Sequence, residues 1–224
     1  MSQVPTILFS EMTPPEDRED RFNRWYDEHH IPLRMGAPGF TSAQRYRDGN
    51  ERNYLAVYEM SSPDVLQTPE YKEIKGKPSA ETKEMLGAVT GFTRYLAEQI
   101  GSRSNSNDDF IDSPVLYPVF FYVPEERQSD FDSWYDQDHI PLLMQDSRWL
   151  GVRRFEIFDG EPGQYNRLAL HYLADRSVLE SDARKQARET PWRNRLAQEP
   201  WFKGHYLVFD RLGDRFRRET DAKP

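Results

Sequence analysis

Cysteine and long hydrophobic runs are both missing from this sequence. The absence of cysteine among its 224 residues excludes disulfides, thiolate zinc sites, iron–sulfur clusters and cysteine nucleophiles, and it fits a cytoplasmic protein. No stretch of about 18 apolar residues occurs, so we expect no membrane span. The N-terminal segment MSQVPTILFSEMTPPEDRED has no basic region and soon becomes acidic, which argues against a signal peptide.

Basic residues are also in short supply. The chain has 30 Lys and Arg residues against 38 Asp and Glu residues, a formal net charge of −8. Nucleic acids attract basic surfaces, so we expect no nucleic-acid partner. Hydrophobic residues make up 37 % and aromatic residues 13 % of the chain, which means that the core must consist largely of aromatic side chains.

The chain contains an internal repeat. Residues 22–35 read FNRWYDEHHIPLRM and residues 131–144 read FDSWYDQDHIPLLM, with nine identities in fourteen positions. Because Trp, Tyr, His and Met are infrequent residues, this agreement indicates a fused duplication. Features that both halves keep are expected to be structural or to share one chemistry, whereas features of one half point to a specialised site.

The first half predicts the order β-α-β-β-α-β. Thr13 is a predicted N-cap with Glu16 three residues later, and Pro32 is predicted to end the first helix near His30. The predicted elements are strand Thr6–Phe9, a helix from Pro14 to about His30, strands Ala43–Arg47 and Tyr54–Met60, helical segments Ser62–Lys75 and Thr82–Leu86, and strand Phe92–Ile100.

The second half predicts the same order. Its elements are strand Val115–Val123, helix Pro124–His139, strands Gly151–Phe158 and Arg167–Leu173, helix Ser177–Arg188 and strand Gly204–Arg211. The motif sets an offset of 109 residues between the halves. This offset changes to 113 at the third strand, which places Tyr58 on His171, and to 111 at the last strand, which places Arg94 on His205.

This pattern predicts an α+β fold of two ferredoxin-like (βαββαβ) repeats. We predict a first repeat at 1–101, a polar linker at 102–113, a second repeat at 114–212 and a polar tail at 213–224. Each open four-stranded sheet needs cover for its apolar face. The two repeats are therefore expected to pack sheet to sheet as an intramolecular α+β barrel.

The motif Trp-Tyr-x-x-x-His-x-Pro, followed by Pro38-Gly39-Phe40 and Ala43–Tyr46, resembles the first helix and second strand of the dimeric α+β-barrel superfamily, most closely its EthD-like members. The second half departs after the motif, with Ser147-Arg148-Trp149. The resemblance implies a barrel made here by one fused chain and not by a dimer. The superfamily includes polyketide cyclases, decarboxylases, cofactor-free oxygenases and haem enzymes, so the resemblance leaves the reaction open.

Five histidines are the candidate catalytic residues: His30, His139, His29, His171 and His205. His30 and His139 occur in both halves, and a histidine near a helix end can act as acid or base or can simply cap the helix. His29 aligns with Asp138, and it is either a partly exposed polar residue at the helix edge or a sign that one pocket is active and the other inactive. His171 and His205 lie on predicted strands, where alternation places them either in a pocket or on the surface.

Aromatic and basic residues complete the candidate site. The predicted substrate-binding residues are Trp25, Tyr26, Tyr58, Arg94, Trp134, Tyr135, Trp149 and Tyr206. Helix-to-sheet packing could use the same aromatic residues as core. Three tryptophans without a tryptophan counterpart, Trp149, Trp192 and Trp201, predict an aromatic-lined cavity in the second half.

We predict no metal site, because adjacent His29 and His30 diverge by about 100° on a helix. The leading hypothesis is a cofactor-independent lyase, cyclase or isomerase that uses histidine acid/base chemistry on a hydrophobic, aromatic or polyketide-like small molecule. One alternative is an oxygenase, either cofactor-free or haem-dependent. The other is a non-catalytic binding protein in which the histidines are structural. Pairing of two fused barrels into a homodimer stays open.

Overall fold

The computed structural model describes residues 4–49, 51–105 and 109–218. The chain forms two compact units. Unit 1 is drawn from Met1–Glu98, Phe158–Pro162 and Leu212–Pro224, and unit 2 is drawn from Gln99–Ile157 and Gly163–Arg211. Three strands change unit along their length, so these units differ from the predicted repeats at their edges.

Unit 1 has the predicted β-α-β-β-α-β order. Its elements are β1 (Thr6–Thr13), α1 (Glu19–Trp25), α2 (Ile31–Met35), β2 (Phe40–Arg47), β3 (Tyr54–Met60), α3 (Pro69–Gly76), α4 (Ala80–Ala88) and the first part of β4 (Thr90–Ser104). The strands are antiparallel in the order β4–β1–β3–β2. The later residues of β9 (Phe209–Arg217) also belong to this unit.

Unit 2 repeats these elements. They are β5 (Val115–Phe121), α5 (Gln128–Trp134), α6 (Ile140–Leu143), β6 (Trp149–Glu161), β7 (Arg167–Leu173), α7 (Asp182–Ala187), α8 (Pro191–Leu196) and β8 (His205–Tyr206). Strand β7 lies between β6 and β5, and β5 also pairs with β8 and with the start of β9.

Each unit buries an aromatic core between its sheet and its helices. In unit 1, Phe22, Trp25 and Tyr26 pack on the face of β3 that carries Tyr54 and Tyr58. In unit 2, the matching cluster contains Phe131, Trp134, Tyr135 and Trp149. Full burial of one such side chain contributes about 1.5–3 kcal/mol, so the repeated aromatic residues do supply the core that the composition required.

The helix of the repeated motif does not end at its proline. A π turn, Tyr26–His30, joins α1 to α2, and Tyr135–His139 joins α5 to α6 in the same way. The prediction that Pro32 stops the helix is therefore wrong. The wider π turn lets the proline fall in the first turn of α2, where a missing N–H costs little.

The predicted cap at Thr13 is also wrong, and two strands extend beyond their predicted ends. Thr13 is the last residue of β1, and the 3₁₀ turn Glu16–Arg18 begins after Pro15 without a side-chain cap. Strand β4 continues to Ser104, into the predicted linker, of which 106–108 lie outside the described residues. Strand β9 likewise extends to Arg217, into the predicted polar tail, whose remainder at 219–224 is not described.

Candidate functional site

The π turn brings a tyrosine and a histidine of the motif into contact. In unit 1, the ring centroids of Tyr26 and His30 lie 4.7 Å apart, and the Trp25 centroid lies 4.3 Å from that of His30. In unit 2, the centroids of Tyr135 and His139 lie 5.1 Å apart. Residues four apart lie nearly above one another on a helix of this pitch. Both pairs consequently face the sheet from the same position.

A buried arginine supports each tyrosine ring from the sheet side. The guanidinium carbon of Arg45 lies 4.7 Å from the Tyr26 ring centroid, and Arg45 forms an ion pair with Asp27 at 2.9 Å. The matching guanidinium of Arg154 lies 5.0 Å from the Tyr135 centroid. Cation–π contacts of this kind hold a ring in place. Sequence reasoning missed these arginines, although the 109-residue offset aligns Arg45 with Arg154.

Unit 1 contains a cavity of about 190 Å³. It lies between the β1–β3–β4 face and the helices, with side chains two residues apart on β1 pointing into it, as strand alternation requires. Its lining consists of Leu8, Ser10, Met12, Tyr26, His30, Arg34, Tyr58, Tyr71, Lys75, Leu86, Phe92 and Arg94. No carboxylate lies among these lining residues.

Two polar groups of this cavity have no protein partner. Tyr58 Oη and His30 Nδ1 are buried and form no hydrogen bond within the described residues. The hydroxyls of Tyr26 and Tyr58 lie near enough for a weak side-chain hydrogen bond to contribute to the pKa of both, although it falls short of full hydrogen-bonding geometry. Burial raises the pKa of Tyr58 well above 10, so its phenol is neutral. Unsatisfied buried groups are costly, and a ligand would satisfy them.

His30 is a neutral imidazole at physiological pH. Burial lowers its pKa well below 6.5, and the nearby charge of Arg34 adds to this effect. A neutral imidazole can accept a proton. Protonation of His30 becomes more favourable once an anion forms beside its ring, because opposite charges stabilise one another.

Three cations surround the same cavity. Arg34 donates to the His30 carbonyl at 3.3 Å, and its guanidinium carbon lies 5.7 Å from the Tyr58 ring centroid. Arg94 pairs with the exposed Asp159 at 3.0 Å, and Lys75 reaches the cavity from α3. In a chain of net charge −8, this local excess of positive charge favours an anionic ligand.

Unit 2 has the same frame but almost no space. Its cavity measures about 30 Å³, close to the volume of two water molecules, since one needs about 10–15 Å³ by this measure. The residues that line it are Tyr117, Val119, Phe121, Trp134, Tyr135, His139, Leu143, Trp149, His171, Arg184, Arg188, Arg193, Phe202 and Tyr206. Of the three tryptophans predicted to line an open cavity, Trp149 borders this small space, whereas Trp192 and Trp201 pack against the unit 2 core outside it.

A hydrogen-bonded chain fixes the polar groups of Trp149, His171 and Tyr135 in unit 2, whereas Trp134 Nε1 is buried without a partner. Trp149 Nε1 donates to His171 Nδ1 at 3.1 Å, and His171 Nε2 lies 2.8 Å from Tyr135 Oη. An indole N–H can only donate, so Nδ1 must be the acceptor and Nε2 must carry the proton. His171 therefore donates to Tyr135. Burial lowers the pKa of His171 well below 6.5, in agreement with this neutral form.

His139 is held in the helix-end role that the sequence left open. Its Nδ1 donates to the Ala187 carbonyl at 3.1 Å, because a carbonyl can only accept. Although the residue as a whole is only partly buried, its ring is enclosed, and burial lowers its pKa to about 4. His139 is thus a neutral, hydrogen-bonded counterpart of the unpaired His30.

The sheet ladders test the predicted correspondences between the halves. Leu8 pairs with Tyr58 and Tyr117 pairs with His171, so the alignment of Tyr58 with His171 holds. Ser10 pairs with Arg94, whereas Val119, the equivalent of Ser10, pairs with Tyr206. Arg94 therefore corresponds to Tyr206, and its predicted alignment with His205 is wrong by one residue.

This one-residue shift in the alignment determines which face of the strand carries His205. A one-residue shift moves a side chain to the opposite face of a strand. Tyr206, although 45 % exposed, lines the unit 2 cavity. His205 is exposed on the other face, outside that lining, and stacks on Tyr165 with the ring planes 5° apart. We therefore correct the proposal of His205 as a catalytic residue.

The other predicted residues divide between cavity and core. His29 lies outside the lining of the unit 1 cavity, and so does Trp25, which packs in the core. Asp138, the counterpart of His29, accepts a hydrogen bond from Thr190. The cavities do include most of the set, namely Tyr26, His30, Tyr58 and Arg94 in unit 1 and Trp134, Tyr135, His139, Trp149, His171 and Tyr206 in unit 2.

Sequence reasoning also missed the cavity residues of the second helices. The N-caps Thr68 and Ser181 show that the 113-residue offset persists there, which aligns Lys75 with Arg188 and Tyr71 with Arg184. A cation at the Lys75 position is thus common to both halves. Extending the alignment through the helix would have revealed it.

Neither cavity has the dimensions of a haem site. Sites for drug-sized ligands measure about 300–1,000 Å³, and haem is at least as large as such a ligand, so these spaces of about 190 Å³ and about 30 Å³ do not fit it. Within the described residues, the side chains do not assemble a group of three or more potential metal ligands. None of the helices in the described part of the chain is long and apolar enough to cross a bilayer.

No protein-family model and no curated protein sequence matches this chain. Solved structures do resemble it. An anthrone oxidase-like protein shares 12 % sequence identity with a TM-score of 0.69, over 97 % of this chain and 94 % of that one. A variant of the chlorite dismutase of Candidatus Nitrospira defluvii shares 5 % identity with a TM-score of 0.62, over 95 % and 92 % of the two chains.

A third similar structure is a ferredoxin-fold protein of Listeria monocytogenes related to antibiotic biosynthesis monooxygenases. It shares 10 % identity with a TM-score of 0.51, over 95 % of this chain and 98 % of that one. At such low identities the likeness concerns the fold alone. It confirms the predicted α+β fold class with ferredoxin-like units.

Proposed function

We propose that this chain is an enzyme that removes a proton from a small, acidic aromatic molecule bound in the unit 1 cavity. The observation that carries this proposal is the unpaired His30 imidazole, which lies beside an unpaired Tyr58 hydroxyl and three cations in a space of about 190 Å³. Unit 2 supplies a contrast within the same chain, since His171 and His139 are hydrogen-bonded and its space measures only about 30 Å³.

The size of the cavity limits the substrate to a single aromatic ring. An apolar cavity of about 150 Å³ is known to hold benzene, so about 190 Å³ accommodates one ring with a short side chain. A three-ring polyketide would require a larger space. Of the predicted substrate classes, the small aromatic one is therefore favoured over the polyketide-like one.

The residues of the cavity have complementary roles in proton removal. Neutral His30 accepts a proton from a carbon next to a carbonyl. The resulting enolate oxygen receives a hydrogen bond from the Tyr58 hydroxyl, whose high pKa keeps it protonated. Arg34 and Lys75 offset the negative charge, and no lining carboxylate opposes it. The acidic group of the substrate is bound by these same cations.

Two reactions can follow the same enolate. Return of the proton to another position gives an isomerase, in line with the lyase- or isomerase-type hypothesis. Reaction with dioxygen converts an activated methylene, R₂CH₂ + O₂, into R₂C=O + H₂O without a cofactor. The names of the similar structures, an anthrone oxidase-like protein and a relative of monooxygenases, favour the oxygen route. On the motif Trp-Tyr-x-x-x-His-x-Pro, we also propose that the chain is related to the EthD-like proteins.

Three probe compounds test the substrate and the reaction. Phenylpyruvate has one ring, a carboxylate and an acidic methylene. Phenylacetone keeps the ring and the methylene but lacks the carboxylate, and anthrone has three rings. Methylene hydrogen–deuterium exchange in D₂O, followed by proton NMR, measures proton removal, and an oxygen electrode measures the second step.

We expect catalysed exchange with phenylpyruvate, at least about tenfold weaker kcat/KM with phenylacetone, equivalent to about 1.4 kcal/mol, and none with anthrone. Oxygen uptake together with exchange assigns the oxygenase reaction, and exchange alone assigns the isomerase type. Binding of phenylpyruvate without exchange or oxygen uptake would instead establish a binding protein and overturn the enzymatic proposal.

A further inference from the structure

The unit 2 cavity holds an unusual concentration of positive charge. Arg184 on α7, Arg188 just after it and Arg193 on α8 all line the same space of about 30 Å³. The positive charges of these three arginines each lower the pKa of the neighbouring His139. All three guanidinium groups therefore lie near the same imidazole ring. No carboxylate lines this space.

These arginines lack a countercharge. Arg184 donates to the Leu179 carbonyl at 2.8 Å and lies 3.5 Å from Tyr117 Oη, and Arg193 lies over the Phe202 ring with 5.8 Å to its centroid. Within the described residues, none of the three takes part in an ion pair. The three side chains are partly buried, and like charges gathered around one space repel one another, so an anion between them would stabilise the arrangement.

A neutral donor points to the same space. Because His171 donates to Tyr135 Oη, the hydroxyl proton of Tyr135 is left to donate elsewhere. Within the described residues, no acceptor for this proton is found. Tyr135 lines the cavity beside the arginines, so a bound anion would accept from both. The hydrogen-bonded chain that starts at Trp149 thus ends in a donor for an anion.

We propose that the unit 2 cavity binds a small monovalent anion, a halide or a carboxylate of one or two carbons, between Arg184, Arg188, Arg193 and the Tyr135 hydroxyl. Its volume, that of about two water molecules, excludes an aromatic ring. The site is distinct from the unit 1 cavity and does not depend on the function proposed there. Its anion links α7 and α8 to the helix of the repeated motif and stabilises unit 2.

Formate is the probe for this site. Isothermal titration calorimetry of the full chain with formate, at constant ionic strength set by the bulkier gluconate, should give a saturable heat with one equivalent. Formate should raise the Tm under the same conditions. Acetate should bind more weakly and propionate more weakly still, because the space is small.

Matched variants assign the heat to unit 2. Arg188→Gln should weaken formate binding at least about tenfold, and Tyr135→Phe should weaken it several-fold. Lys185→Gln removes the same charge from an exposed position on α7, and Arg34→Leu removes a cation of the unit 1 cavity. Both should bind formate as the unmodified chain does. A non-saturable heat, or equal losses in Arg188→Gln and Lys185→Gln, would overturn the proposal.

Discussion

The two units use one frame to make two different interiors. Both place a tyrosine and a histidine on a π turn and support the tyrosine with a buried arginine. In unit 1 the opposing strand contributes Tyr58, whose hydroxyl has no partner, beside about 190 Å³ of space. In unit 2 it contributes His171, bonded on both nitrogens, beside about 30 Å³. Paired groups hold a structure together, whereas unpaired groups beside empty space are ready for a ligand.

The largest expected effect separates the two histidines of the motif. His30→Gln should lower the rate of phenylpyruvate exchange by about 10²–10⁴-fold, the usual contribution of a general base. His139→Gln should leave that rate within about twofold, because His139 bonds to a backbone carbonyl away from the unit 1 cavity. Equal losses in the two variants would contradict the assignment of activity to unit 1.

The pH dependence of folding sharpens the contrast from the unit 2 side. His139 has a pKa of about 4 in the folded chain and about 6.5 when unfolded. The unfolded state therefore binds the extra proton as pH falls from about 6.5 to 4, and this group removes up to about 3 kcal/mol of stability across that window. Above about pH 6.5 the contribution is fully present.

Urea unfolding at pH 7.5, 5.5 and 4.5 measures this loss. His30 and His171 act in the same direction, since burial also lowers their pKa. His139→Gln should start less stable at pH 7.5 and lose less stability on acidification than the unmodified chain. Parallel curves for the two proteins would show that His139 does not titrate as described.

Stability should also distinguish the paired from the unpaired groups. Trp149→Phe leaves His171 Nδ1 without its donor and opens a small void, so we expect a loss of about 2 kcal/mol in the free energy of unfolding. Tyr58→Phe removes a hydroxyl that has no partner, so its stability should stay within about 0.5 kcal/mol or rise. A large loss in the free energy of unfolding of Tyr58→Phe would show that the Tyr58 hydroxyl forms a stabilising hydrogen bond, which would contradict its description as unpaired.

The smallest effect concerns a charge that only one unit has. The 109-residue offset places Leu143 at the position of Arg34, so Arg34→Leu copies unit 2 into unit 1. We expect KM for phenylpyruvate to rise about tenfold, equivalent to about 1.4 kcal/mol. The value of kcat/KM for phenylacetone should fall less, because that substrate has no carboxylate to lose contact with Arg34 and only its enolate loses the nearby charge. If both substrates suffer equally, Arg34 positions the cavity and does not bind the acid.

The internal repeat was sufficient to predict most of the fold and about half of the residues of the candidate site. Because the π turn depends on hydrogen bonds one residue longer than those of an α-helix, a proline reads as a stop when only α-helical spacing is considered. The exposed place of His205 followed from a one-residue register that residue types alone do not set. The second half looked more open than it is, since Trp149 signals bulk but not whether that bulk surrounds a space or fills it.

The π turn also separates what is constant in the chain from what can vary. The tyrosine–histidine pair is placed by the shape of one helical segment, and its partner at Tyr58 or His171 comes from a different strand. A substitution on that strand can alter the chemistry without moving the pair, and a substitution on the helix can be tested without moving the strand. In a chain with two such units, one unit can retain its function while substitutions accumulate in the other. The second unit can then acquire a different activity on the same fold.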